Sequence, residues 1–141
     1  MSSFWRNWFN LFCLSLILFG VVLCGGAFEA TSGAVRLILG FEGGNADFVF
    51  TPELRFALAV MGAVSIGWGV NLLAMIPATI ALGARGRPFW NAITAGMVSW
   101  FVIDSTLSVL TGFGLNVVPN LALAGMYLLG LAGSGALKQR A

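Results

Sequence analysis

Between Arg87 and Lys138 the chain runs for fifty residues with one charge, Asp104. A single helix of that length would extend roughly 75 Å at 1.5 Å per residue, more than twice the ~30 Å hydrocarbon core of a bilayer. The segment must therefore fold back on itself. The interruption falls at Gly112-Phe113-Gly114-Leu115-Asn116-Val117-Val118-Pro119-Asn120, where glycine, asparagine and proline supply turn conformations. This predicts one helix from Phe89 to Leu110 and another from Pro119 to Leu137. Pro119 suits a first turn, where its missing N–H has no intrahelical partner to lose.

Two further uncharged runs have the length of a membrane crossing. Asn7 to Phe28 is twenty-two residues, about 33 Å as a helix. Phe56 to Ala84 is twenty-nine, about 43 Å, which predicts a helix that tilts, kinks near Pro77 or projects beyond the bilayer. With 59% hydrophobic and 9% charged residues, the chain is far more apolar than a globular domain, where roughly a quarter of residues are charged. The reading is all-α: one membrane domain over residues 1–141, an integral four-helix bundle with short loops. No soluble catalytic domain fits in what remains. The first apolar run is long enough to anchor, which predicts an uncleaved helix rather than a removed signal.

In a four-crossing arrangement Arg6, Arg85, Arg87, Lys138 and Arg140 share one side. Arg36 and Arg55 share the other with Glu29, Glu42, Asp47 and Glu53. Basic loops face the cytoplasm, so both termini are expected there. The one sizeable loop, Glu29 to Glu53, carries a net charge of minus three. Within it Gly33-Ala34-Val35-Arg36-Leu37-Ile38-Leu39-Gly40-Phe41 has the mixed polarity of a short helix at a membrane surface, before a turn at residues 43–47. The loop reads as a solvated connector; a docking surface for a basic partner, or a lid over the helices, is the alternative.

Several chemistries lack their side chains. The chain has no histidine, which removes the usual haem and transition-metal ligand and the Ser/His/Asp and Cys/His catalytic arrangements. Cys13 and Cys24 lie on one predicted helix about 16 Å apart, beyond the reach of a disulfide or a shared metal. The nineteen glycines show no phosphate-loop spacing. The expectation is a non-enzyme with no identifiable cofactor, no metal and no nucleic-acid partner. Contact of Trp68 and Trp100 with a lipid, quinone or pigment stays open. Phe4, Trp5, Trp8, Phe9, Phe89 and Trp90 cluster near predicted helix ends and read as interfacial anchors.

Small residues let membrane helices approach closely. The stripe Ala59, Ala63, Gly67 and the pair Ala92, Gly96 are therefore the expected helix-packing face, within the bundle or toward a partner.

Asp104 is the candidate polar site. A charge at the bilayer centre costs ~2.5–3.5 kcal/mol on insertion scales, so such a residue usually faces protein or water. Trp100, Phe101, Leu107, Ser108 and Thr111 share its helical face at three, four and seven residues' distance. If one helix ends near Gly112 and the next starts at Pro119, Asp104 and Tyr127 both lie roughly 12 Å from the same end. Depth matching thus selects Tyr127 as partner, with Ser108 beside them. Two uses follow: an interhelical polar clasp, or binding of a proton or cation during transport.

The run Trp100-Phe101-Val102-Ile103-Asp104-Ser105, with Thr111-Gly112-Phe113 and the segment Asn116 to Asn120, resembles small uncharacterised four-helix bacterial inner-membrane proteins. The resemblance covers the last two helices, implies a bacterial inner-membrane setting, and brings no activity with it. Short loops, abundant small residues and missing redox ligands favour a non-catalytic accessory or scaffold subunit of a larger membrane complex, of respiratory or photosynthetic type. The alternative is a small homo-oligomeric, proton- or cation-coupled transporter using Asp104. Membrane lipids are partners in either case.

Overall fold

The structure is a computed structural model and describes residues 1–43 and 49–136. Five α-helices follow one another: α1 (Ser3–Gly25), α2 (Gly33–Gly43), α3 (Pro52–Ala81), α4 (Arg87–Leu110) and α5 (Val117–Gly133). Short 3-10 turns at Glu29–Thr31, Gly83–Gly86 and Gly114–Asn116 connect them, and no strand occurs among the described residues. Four segments are long and apolar enough to cross a membrane: Ser3–Gly25, Pro52–Ala81, Gly83–Leu110 and Gly114–Gly133. Of the expected turn at residues 43–47, Gly43 closes α2 and the remaining positions lie outside the described residues, as do the basic residues Lys138 and Arg140.

Helix limits differ from the uncharged runs because caps, not charges, start and stop helices. Thr51 caps α3, its hydroxyl accepting from the Leu54 N–H at 3.3 Å, so the helix opens at Pro52 and takes Glu53 and Arg55 into its first turns. Likewise α1 includes Arg6, and α4 begins at Arg87 with Pro88 in its first turn. The expected end of the last helix at Leu137 moves back to Gly133, and Gly135 follows with φ +66°. Pro77 stays within α3, which continues to Ala81.

The four long helices alternate in direction. Trp5 lies against Gly133 and the Trp8 indole donates to the Met126 carbonyl at 2.7 Å, setting the start of α1 against the end of α5. The α3–α4 turn carries Arg85 and precedes Arg87. Arg6, Arg85 and Arg87 thus mark one end of the bundle, the basic end, and α2 marks the other.

The main core fills the basic half. Phe9, Phe12 and Leu16 of α1 meet Leu72 and Ile76 of α3, Trp90, Ile93 and Met97 of α4, and Tyr127 and Leu131 of α5. Aromatic rings pair inside it, Phe9 with Trp90 at 5.3 Å and Phe12 with Tyr127 at 5.9 Å between centroids. Phe9 and Trp90, expected as interfacial anchors, are core residues here, whereas Phe4 and Phe89 point outward. Spacing explains the difference: Phe9, Phe12, Leu16, Gly20 and Leu23 recur every three to four residues and share one face.

The close-packed seam is also not the expected stripe. Ala59 is partly buried, while Ala63, Gly67, Ala92 and Gly96 are exposed, and a Cβ added at Gly67 or Gly96 would meet nothing within 4 Å. The seam of α3 runs instead through Leu58, Gly62, Gly69, Leu72, Ile76 and Thr79, alternating steps of three and four as in a coiled-coil face. A shift of one residue rotates the face by about 100°. At Gly20 and Gly62 the backbones of α1 and α3 nearly touch: a Cβ on Gly20 would lie 2.7 Å from the Gly62 carbonyl oxygen, and one on Gly62 2.6 Å from that of Gly20.

At the far end α2 is tied down by charge. Glu29 accepts from Arg36 Nη2 at 2.9 and 3.0 Å and also from Arg55 Nη2. Both guanidiniums lie against Phe50, at 4.2 and 5.3 Å from the ring centroid. The hydrogen bond from Arg55, with the nearby charge of Arg36, holds the Glu29 carboxyl below the ordinary carboxylate range. Beneath this clasp Val35 of α2 is buried with Leu23, Phe50 and Leu58. The expected short surface helix is thus present as α2, with Leu37 and Phe41 turned outward.

Candidate functional site

The end of α4 sets the geometry around Asp104. Gly112 takes φ +89°, the left-handed conformation in which glycine avoids a Cβ clash. Its N–H donates to the Val109 carbonyl at 3.2 Å and the Phe113 N–H to that of Ser108 at 2.8 Å, the two bonds of a Schellman stop. The chain then doubles back through Gly114–Asn116, so that α5 starts alongside α4 rather than level with its tip. Asn116 and Asn120, one helical turn apart, reach Asp104.

Four polar side chains surround that carboxylate. Asn116 Nδ2 donates to Asp104 Oδ2 at 3.0 Å and to Ser108 Oγ at 2.9 Å. Asn120 Nδ2 donates to the same Oδ2 and to Ser105 Oγ at 3.2 Å. The first turn of α5, where the helix dipole favours negative charge, therefore lies beside the carboxylate. Both hydrogen bonds fall on Oδ2, and among the described residues no hydrogen bond falls on Oδ1.

Asp104 also lines a partly open groove of about 450 Å³ between α1, α3, α4 and α5, with α2 across its far end. Its walls are mainly apolar, including Phe19, Leu39, Met61 and Val64, and Trp68 and Trp100 lie side by side with centroids 5.6 Å apart. Among the described residues, Asp104 is the only one of formal charge in that lining. The volume falls in the range of ligand pockets, and apolar walls with a few convergent polar groups are their usual makeup. No protein-family model, curated protein or solved structure matches the chain.

The expected trio is divided. Ser108 joins Asp104, but Tyr127 does not: its hydroxyl pairs with Thr94 Oγ1 at 2.7 Å, and Thr94 donates in turn to the Trp90 carbonyl at 2.8 Å. Tyr127 is fully buried in the core. The depth match failed because it assumed that α4 and α5 start level at the loop. Since α5 begins opposite Asp104, the eleven residues from Asn116 to Tyr127 carry the phenol roughly 16 Å further toward the basic end, level with Thr94, ten residues before Asp104. The missed partners, Asn116 and Asn120, had a readable signal: two amides at i and i+4 share one helix face.

The two thiols stay apart as expected. Cys13 is buried and Cys24 half-buried, both free, and the Cys24 thiol contacts the Ala59 carbonyl at 3.7 Å.

Proposed function

We propose that the four long helices cross a bacterial inner membrane with both termini cytoplasmic, and that the protein is a small transporter in which Asp104 takes up a proton or another cation. The observation that carries this reading is the half-engaged carboxylate: both amides donate to Oδ2, and Asp104 lines a groove large enough for a ligand. A residue serving only as a clasp gains nothing from such a groove. Intramembrane carboxylates that face a cavity are the usual carriers of protons and ions, because gaining or losing a charge there biases which side the site opens to. Arg6, Arg85 and Arg87 at one end of the bundle, with Lys138 and Arg140 expected to join them, support the orientation. Flux in proteoliposomes tests the proposal: Asp104→Asn should abolish cation- or proton-driven transport while helix content and the thermal transition persist. Flux unchanged by that substitution removes Asp104 from the mechanism.

A second reading, the non-catalytic accessory subunit, draws on a different observation. Ala63, Gly67, Ala92 and Gly96 present small side chains outside the bundle's own packing, the surface that another membrane helix would use. The same face serves a homo-oligomer of the transporter. Native mass spectrometry after mild solubilisation separates these outcomes: a mixed complex supports the subunit, identical copies support the homo-oligomer, and a monomer under conditions that keep other membrane complexes intact removes both.

A further inference from the structure

We infer that the groove beside Asp104 binds a hydrophobic organic monocation, an ammonium-type centre carried on an aromatic or aliphatic body. The inference rests on the transporter reading, in which Asp104 is the cation site, and adds the class of cargo. Volume comes first. A proton needs one carboxylate oxygen and no space, yet about 450 Å³ lies open beside Asp104.

Charge comes second. Among the described residues the lining holds one carboxylate and no lysine or arginine, and Arg36 and Arg55 are engaged with Glu29 and Phe50 outside it. An anion placed there would face Asp104 with no basic group to offset it, and a neutral molecule would leave the charge unmatched in an apolar wall. A divalent metal ion fits poorly, because such ions take six or more oxygen ligands, several of them anionic, and the groove supplies one carboxylate.

Shape and surface come third. Trp68 and Trp100 stand together on the groove wall, with Trp100 one helical turn from Asp104. Indole faces attract alkylammonium groups, tryptophan most strongly of the aromatics. Apolar residues such as Leu16, Phe19 and Met61 provide the surface for the ligand's body. A carboxylate, an aromatic pair and an apolar trough converge on one chemical class.

The test uses the full chain in phosphatidylcholine nanodiscs and equilibrium dialysis, with empty nanodiscs subtracted. Three probes of similar size are compared: benzyltrimethylammonium, its uncharged carbon isostere neopentylbenzene, and the anion benzenesulfonate. The cation is expected to bind at least about tenfold more tightly than either of the others. Asp104→Asn should weaken it by about tenfold or more, and Trp100→Leu by about three- to tenfold. Equal binding of neopentylbenzene, as for a groove that holds only a lipid chain, overturns the inference, and this comparison needs no variant to fold. Unchanged cation binding in Asp104→Asn overturns it equally. If the cation fails to bind while Asp104-dependent proton flux persists in proteoliposomes, this inference falls and the transporter reading stands; if Asp104→Asn alters neither, both fall.

Discussion

The two halves of the bundle are built from the same kinds of residue and reach opposite results. Toward the basic end the four long helices converge on an aromatic core in which Trp90, Phe9, Phe12 and Tyr127 are almost completely buried. Its hydroxyl pair, Tyr127 with Thr94, is closed on itself and on the Trp90 carbonyl. Toward the other end a groove takes the place of a core, α2 lies across it, and the polar side chains form part of its wall. Polar groups therefore mean different things in the two halves. In the first they satisfy one another beside the buried aromatic rings; in the second they belong to the wall of the larger groove.

The sharpest way to break the bundle lies at the α1–α3 crossing, on the side of α2. Gly62→Leu places a side chain where even a Cβ would come within 2.6 Å of the Gly20 carbonyl oxygen. Backbone cannot yield as a flexible side chain does, so the helices must separate. Overpacking of this kind costs about 1–3 kcal/mol or more, and here loss of the folded bundle is expected, read as loss of a monodisperse peak and of the thermal transition in detergent. Trp90→Ala leaves a cavity instead, costing about 3–5 kcal/mol by analogy with buried aromatics elsewhere. Trp68→Ala, on the groove wall, should cost less than half of that in the same thermal measurement.

The polar sets give a smaller and more discriminating comparison. Asn120→Ala removes donors to both Asp104 and Ser105, while Tyr127→Phe removes one hydroxyl and leaves Thr94 bonded to the Trp90 carbonyl. Hydrogen bonds between membrane helices average about 0.6 kcal/mol and reach about 1.7. Asn120→Ala is expected near the upper figure and Tyr127→Phe near the lower, by equilibrium unfolding in mixed micelles. Equal losses would mean that Asp104 obtains no more from its amides than Tyr127 does from Thr94.

This same comparison marks what could be read from the chain alone. The all-α class, the four long apolar segments and the turn near Gly112 follow from uncharged runs, helical rise and turn residues, which are local properties. Register does not. A difference of a few residues in where α5 begins decided whether Asp104 met Tyr127 or Asn116 and Asn120, and the sequence states only that a turn occurs, not how far it doubles back. The seam failed for a related reason: Ala59, Ala63 and Gly67 satisfy a four-residue spacing, but a helix rotates by about 100° per residue. The longer alternation through Leu58, Gly62, Gly69, Leu72 and Ile76 was the better guide. The groove depends on the space between helices, which no single segment encodes.

The clasp over the groove should respond to acid. Because Glu29 has its carboxyl pKa lowered from 4.5 in the folded state, its contribution is present above the unfolded value and is lost as pH falls through the lower folded value. The protection factors of the α2 amides from Val35 to Phe41, referred to the intrinsic exchange rate at each pH, should therefore fall on acidification from about pH 5 to about pH 3. The basic half should keep its protection over that range. Glu29→Gln should make α2 exchange faster already at pH 5 and remove most of the further change. An α2 that remains protected at low pH would show that Val35 and its apolar neighbours hold it without the arginine pairs.

The smallest expected effect falls on the exposed small residues. A Cβ at Gly67 or Gly96 meets nothing within 4 Å, so Gly67→Ala and Gly96→Ala create no clash inside the monomer. Alanine also restricts the unfolded chain, and in a helix interior it is favoured over glycine by up to about 1 kcal/mol. Thermal unfolding of the monomer should thus stay level or rise slightly, opposite in sign to Gly62→Leu, five residues before Gly67 on the same helix. The bulkier Gly67→Leu makes the contrast functional. If this face meets another helix, it should leave monomer stability nearly unchanged while reducing the oligomer or complex seen by native mass spectrometry. If assembly is equally unaffected, the face meets lipid alone.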